Sequence, residues 1–115
     1  MHKFPRRWSL KDKVEFLQRK IIINSILYYY RDTNFISDNQ FDEISAYLVN
    51  LQSQINIEDT MYGYIFYDFD GTTGFHLYDR LTEEDKNYLD IIVNHILVLS
   101  KKSHKIKTSK KGALF

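Results

Sequence analysis

The sequence predicts an α+β fold: a helical hairpin and a third, C-terminal helix packed with a small antiparallel β-hairpin. Three observations lead there. Apolar residues recur at helical spacing between Leu10 and Tyr30, a capping pattern opens a second helix at Asp38, and the aromatic run MYGYIFYDF ends in the turn pair Asp70-Gly71.

In the first helix, Ser9 stands as N-cap with Asp12 three positions on, and Leu10, Val14, Leu17, Ile21 and Tyr28 form its stripe. Its second half, IIINSILYYY, is apolar on nearly all sides, which predicts more than one covering neighbour. In Ile36-Ser37-Asp38-Asn39-Gln40-Phe41, Ser37 and Gln40 form a capping box, and Ile36 and Phe41 a hydrophobic staple. Phe41, Ile44, Leu48 and Leu51 continue that helix, and the short RDTNF connection folds it back on the first as an αα-hairpin. The aromatic and β-branched residues of MYGYIFYDF favour a strand, Asp70-Gly71 a hairpin turn, and TTGFHLY the returning strand. Thr82 then caps the last helix, with Asp85 at its third position and Leu89, Ile92, Ile96 and Leu99 as its stripe.

At 115 residues, 43% hydrophobic and 16% aromatic, the chain suits one compact domain over residues 1–100 with a core of its own. The absence of cysteine excludes disulfides, thiolate metal sites and a cysteine nucleophile, and favours a reducing compartment. No apolar run approaches the roughly 20 residues that span a bilayer, and MHKFPRRWSLKDK lacks a signal-peptide core, so a cytoplasmic protein is expected. The net charge of +1 hides an asymmetry. Lys101, Lys102, Lys105, Lys107, Lys110 and Lys111 lie in a stretch without any carboxylate, giving an acidic body and a basic, flexible tail over residues 101–115. Such a tail can meet nucleic-acid phosphates or an acidic surface.

Asp68-Phe69-Asp70-Gly71-Thr72 spells the first motif of haloacid-dehalogenase-type phosphatases, but the chain after Thr72 holds one helix and the tail. It offers no later strands to carry a phosphate-binding lysine or acidic metal ligands, so the pattern is read as a turn and the protein as a non-enzyme. A calcium loop fails as well: Asp68, Asp70 and Asp79 fall at positions 1, 3 and 12, but Thr73 occupies the place of the required glycine. His2, His76, His95 and His104 show no metal spacing, and His95 is expected partly buried beside the last helix's stripe. Neither a metal nor a cofactor is expected as a resident group.

Residues 28–48, YYYRDTNFISDNQFDEISAYL, resemble the N-terminal helical segment, domain Ia, of bacterial NAD-dependent DNA ligases. That family shows a tyrosine pair or Tyr-His, two residues, Asp, an Ile-Ser-Asp step, then Tyr-Asp and an apolar position. Tyr28, Tyr29, Asp32, Ile36, Ser37, Asp38, Asp42 and Ile44 match at that spacing, Phe41 replaces the tyrosine, and the likeness covers roughly residues 10–52. In the ligases this segment closes over NAD at its nicotinamide mononucleotide half. The resemblance therefore implies Tyr28, Tyr29, Asp32, Asp38, Phe41 and Asp42 as ligand or partner contacts, with Phe41 lacking the phenolic hydroxyl. The adenylated lysine of the ligase has no counterpart here, since DFDG carries Asp68 at that place. Folding alone accounts for Ser37, Asp38, Gln40 and Phe41 through capping, dipole and staple, leaving the tyrosines and Asp42 as residues beyond what folding needs.

Small stand-alone proteins similar to this ligase segment occur in bacteriophages. The resemblance so implies a phage or prophage accessory protein that binds and modulates or inhibits a host or defence protein, such as a defence nuclease, inside the bacterial cell. Two alternatives stand beside it: a nicotinamide-nucleotide (NMN or NAD) binding module, and a nucleic-acid binder acting through the lysine tail.

Overall fold

A computed structural model describes residues 4–106, with the backbone alone over 102–106. Its regular elements are all helical: α1 Leu10–Tyr30, α2 Asp38–Gln52, a 3-10 turn Ile57–Asp59, α3 Gly63–Phe66, α4 Leu77–Arg80 and α5 Glu83–Ile106. The chain divides between Arg80 and Leu81 into two compact units.

In the first unit, α1 opens with a reciprocal cap, the Asp12 amide donating to Ser9 Oγ and the Ser9 amide to Asp12 Oδ2, both at 3.1 Å. It closes where the Arg31 and Thr33 amides both reach the Leu27 carbonyl and Asp32 takes a left-handed φ of 50°. Aspartate tolerates that conformation better than most side chains. The expected capping box of α2 forms, with the Ser37 amide 2.8 Å from Gln40 Oε1 and the Gln40 amide 3.0 Å from Ser37 Oγ.

Residues 21–27 of α1 are buried without a break, so this stretch is surrounded, as its all-round apolarity requires. Both α2, through Ile44, Leu48 and Leu51, and α4 pack against α1. Gln18 is a fully hydrogen-bonded polar group in this core: its Nε2 donates to Gln52 Oε1 and Thr60 Oγ1, each at 3.0 Å, and its Oε1 accepts from the Tyr62 amide at 3.4 Å. This node ties α1 to the end of α2 and the start of α3.

The β-hairpin does not exist: among the described residues there is no strand, and the fold is all-α rather than α+β. The error lies in the period. A strand would bury alternate residues, whereas Tyr62, Ile65 and Phe66 are buried while Tyr64 and Tyr67 are exposed, the spacing of a helical turn. Gly63 enforces the local geometry, since a Cβ there would stand 1.9 Å from the Ile57 carbonyl oxygen. Nor is Asp70-Gly71 a type I′ hairpin turn, which needs positive φ at both residues; Gly71 has φ 90° and Asp70 does not share it.

In the second unit, Thr82 caps α5 by accepting the Asp85 amide at 3.1 Å. The buried stripe is Leu89, Val93 and Ile96 rather than the expected Leu89, Ile92, Ile96 and Leu99; Ile92 is half-buried and Leu99 exposed. His95, expected partly buried, is exposed because it lies off that shifted stripe. The helix continues to Ile106, so Lys101, Lys102 and Lys105 stand on α5, Lys101 exposed, while Lys107, Lys110 and Lys111 lie outside the described residues. No helix among the described residues is long and apolar enough to cross a membrane.

Candidate functional site

A cavity of about 300 Å³ opens in the first unit between the C-terminal half of α1, the start of α2 and the segment around Thr72 and Thr73. Helical geometry explains its layering. Tyr28 and Tyr29, in the last turn of α1, lie one turn beyond Asn24 and Ser25, so the two pairs form adjacent rows on the same side of the helix. The tyrosines are 52% and 39% exposed and form the mouth; Asn24 and Ser25 are 4% and 2% exposed and form the floor.

Tyr29 is fixed from three directions. Its hydroxyl shares a hydrogen bond with Thr73 Oγ1 at 2.9 Å, its ring meets Phe75 edge to face at 5.1 Å, and Tyr28 packs against it at 4.9 Å and 87°. The facing wall comes from α2, whose capped first turns carry Asp38, Phe41 and Asp42 to the cavity, with both carboxylates exposed. The third wall is held by Asp70, which accepts from the Thr72 amide at 3.1 Å and the Thr72 hydroxyl at 2.7 Å. Those two bonds draw the Asp70 carboxyl below its usual pKa.

Tyr28, Tyr29, Asp38, Phe41 and Asp42, expected as contacts, all line this one cavity. Asp32 is absent from the lining because it forms the left-handed stop of α1. Sequence reasoning missed Asn24, Ser25, Asn34, Thr72 and Thr73. Asn24 and Ser25 could have been found: they are two short polar residues inside the apolar run IIINSIL, where core packing alone predicts neither. Their environment is unusual. Asn24 Nδ2 donates to the Lys20 carbonyl at 2.9 Å, but Asn24 Oδ1 and Ser25 Oγ are buried without a partner among the described residues.

The phosphatase-like carboxylates are dispersed. Asp68 forms a two-pronged pair with Arg80, Nη1 to Oδ1 at 2.7 Å and Nη2 to Oδ2 at 3.2 Å, which lowers the Asp68 carboxyl below its usual pKa. Arg80 Nη1 also reaches the Ile65 carbonyl at 3.0 Å, and its guanidinium lies 4.6 Å over the Tyr67 ring. Asp79 accepts from the Tyr30 hydroxyl at 3.2 Å; desolvation, then that bond, raises the Tyr30 phenol above its usual pKa. Asp68, Asp70 and Asp79 thus serve three separate local contacts. Among the described residues, no three His, Cys, Asp or Glu side chains converge as a metal site. In comparisons with known proteins, no family model, curated protein or solved structure matches this chain.

Proposed function

We propose that this protein binds the pyridinium-ribose half of a nicotinamide nucleotide in the α1–α2 cavity, holding it without transforming it. The observation that carries this reading is the meeting of Tyr28, Tyr29, Asp38, Phe41 and Asp42 on one cavity. Aromatic faces suit a planar cationic ring, and exposed carboxylates suit that ring's charge and the ribose hydroxyls. Among the described residues no lysine or arginine lines the cavity, so the phosphate is left toward solvent. At about 300 Å³ the cavity lies at the lower end of ligand sites, enough for one nucleoside half rather than a dinucleotide.

Titration calorimetry with nicotinamide mononucleotide checks this. Saturable binding is expected, weakened about tenfold or more by Asp38→Ala, the loss of one charge-assisted contact. Absence of heat at millimolar ligand overturns the proposal.

A second reading, binding to and inhibiting a host or defence protein, is supported by a different observation. Tyr28, Tyr29, Tyr30, Tyr64, Tyr67 and Phe75 in the first unit are all between 39% and 65% exposed. Such aromatics make good interface anchors. Affinity capture from a bacterial lysate with wild type and Tyr64→Ala tests it, and a partner retained equally by both removes the aromatic surface from consideration.

A further inference from the structure

We infer that the protein self-associates through α5, whose exposed face pairs antiparallel with the same face of a second copy. The inference stands on the second unit alone and is independent of the cavity in the first.

α5 carries apolar residues on two sides. Leu89, Val93 and Ile96 are buried along one of them. At about 100° per residue, Ile91 and Val98 fall on the opposite side, with Tyr88 and His95 beside them. Tyr88, Ile91 and Val98 are 53%, 66% and 53% exposed, and His95 is exposed as well. A single exposed apolar residue is ordinary on a protein surface, but these follow one another along a helix face. Ile91 and Val98 stand one heptad apart, the spacing that keeps side chains on one seam when two helices wind together. One heptad before Ile91 is Glu84, exposed on the same face, and one heptad after Val98 the sequence has Lys105.

Charge selects the occupant. Residues 83–90 carry Glu83, Glu84, Asp85 and Asp90 against Lys86 alone, which lies 3.7 Å from Glu83 within the helix. From Ile91 onward the sequence has no carboxylate, and the α5 backbone runs on through Lys101, Lys102 and Lys105. A partner of one charge sign would suit one end of this face and repel the other. A parallel second copy would set acid against acid and base against base. An antiparallel copy with its dyad between Asn94 and His95 satisfies the whole face. Ile91 of each chain then meets Val98 of the other, and each acidic start lies beside the lysine-bearing end of its partner. The helix dipoles also run in opposite directions. Asn94 and His95 come together at the dyad, where a polar residue in an apolar seam fixes the register.

The test uses the full chain, which has no cysteine, so an introduced cysteine reports one position. Sedimentation equilibrium should show a reversible dimer with a dissociation constant on the order of 10 µM, the weak end of specific association for so small an interface. Raising salt from about 0.05 M to about 0.5 M should weaken it severalfold through screening. Ile91→Asp and Val98→Asp should each weaken it about tenfold or more with unchanged circular dichroism, since both positions are exposed. Disulfide trapping in a glutathione buffer then reads the direction. In the antiparallel pair the two Ile91 positions lie about 10 Å apart along the axis, too far for a disulfide. A mixture of Ile91→Cys and Val98→Cys should therefore give the mixed disulfide, His95→Cys alone should give its own, and Ile91→Cys alone should not. A chain still monomeric at about 0.5 mM overturns the inference. So does a dimer that both aspartate variants leave intact, which would place the interface elsewhere, and so does preferred linkage of Ile91→Cys to itself, the mark of a parallel pair.

Discussion

Two polar sites on α1 are buried to the same depth and treated in opposite ways. Gln18, with no exposed surface, is closed on itself by Gln52, Thr60 and the Tyr62 amide. Asn24 and Ser25, at 4% and 2% exposure, keep Asn24 Oδ1 and Ser25 Oγ without a partner. A buried polar group is expensive unless paired, so the fold satisfies Gln18 and leaves one unpaired polar atom on each of two residues that line the cavity. Ser45 Oγ supplies the control: it too is buried and unpartnered, yet Ser45 is not part of the cavity lining, so an orphan atom alone does not mark a site.

The largest expected effect lies on the closed side of this contrast. Gln18→Ala leaves the buried Tyr62 amide unpaired and opens space between α1 and α3, and should cost about 2–3 kcal/mol in urea unfolding. Ligand affinity of the molecules that remain folded should not change. An intermediate effect is expected at the α2 cap, where Ser37→Ala removes the bond to the Gln40 amide and should cost about 1 kcal/mol. At the unpaired site the sign reverses. Ser25→Ala deletes an unpartnered hydroxyl and should leave the protein equally stable or more stable by up to about 1 kcal/mol in urea unfolding. A destabilisation of Ser25→Ala comparable to that of Gln18→Ala would erase the distinction between the two sites.

What was legible in the sequence follows the same division. The α2 capping box depends on local pattern and appears as expected, whereas the expected covering of IIINSILYYY holds only for residues 21–27: Tyr28, Tyr29 and Tyr30 are exposed. The hairpin failed because MYGYIFYDF has strand-like composition, while its fate is set by tertiary contact: Gly63 lies against the Ile57 carbonyl, and Tyr62, Ile65 and Phe66 turn inward at helical spacing. Propensity is overridden when packing chooses the period. The aromatic and acidic walls of the cavity were legible through the ligase-like pattern at residues 28–48, but Thr72 and Thr73 were not, because the Asp70 turn that delivers them is distant in sequence from both helices. Asn24 and Ser25 are the instructive omission. Their anomaly was present in the sequence, as polar residues where only apolar ones suit a surrounded helix.

The smallest expected effect contrasts the Gln18 node with the Asp68–Arg80 pair in the same unit. The node is neutral and buried; the pair is charged, with the Asp68 side chain 57% exposed. Arg80 holds the Asp68 carboxyl below its usual pKa, so the pair's contribution is present above the unfolded carboxyl value of about 4 and is lost as pH falls through the lower folded value. Comparing urea midpoints of wild type and Asp68→Asn from pH 7 downward should therefore show a small gap that closes in acid, and that also narrows in high salt through screening. The Gln18→Ala deficit should be indifferent to both changes. The gap at Asp68 stays small because Arg80 keeps the Ile65 carbonyl and the Tyr67 ring when the carboxylate is gone. A gap that persisted unchanged from pH 7 into strong acid would assign Asp68 a packing role in place of the charge pairing argued here, since only the charge titrates.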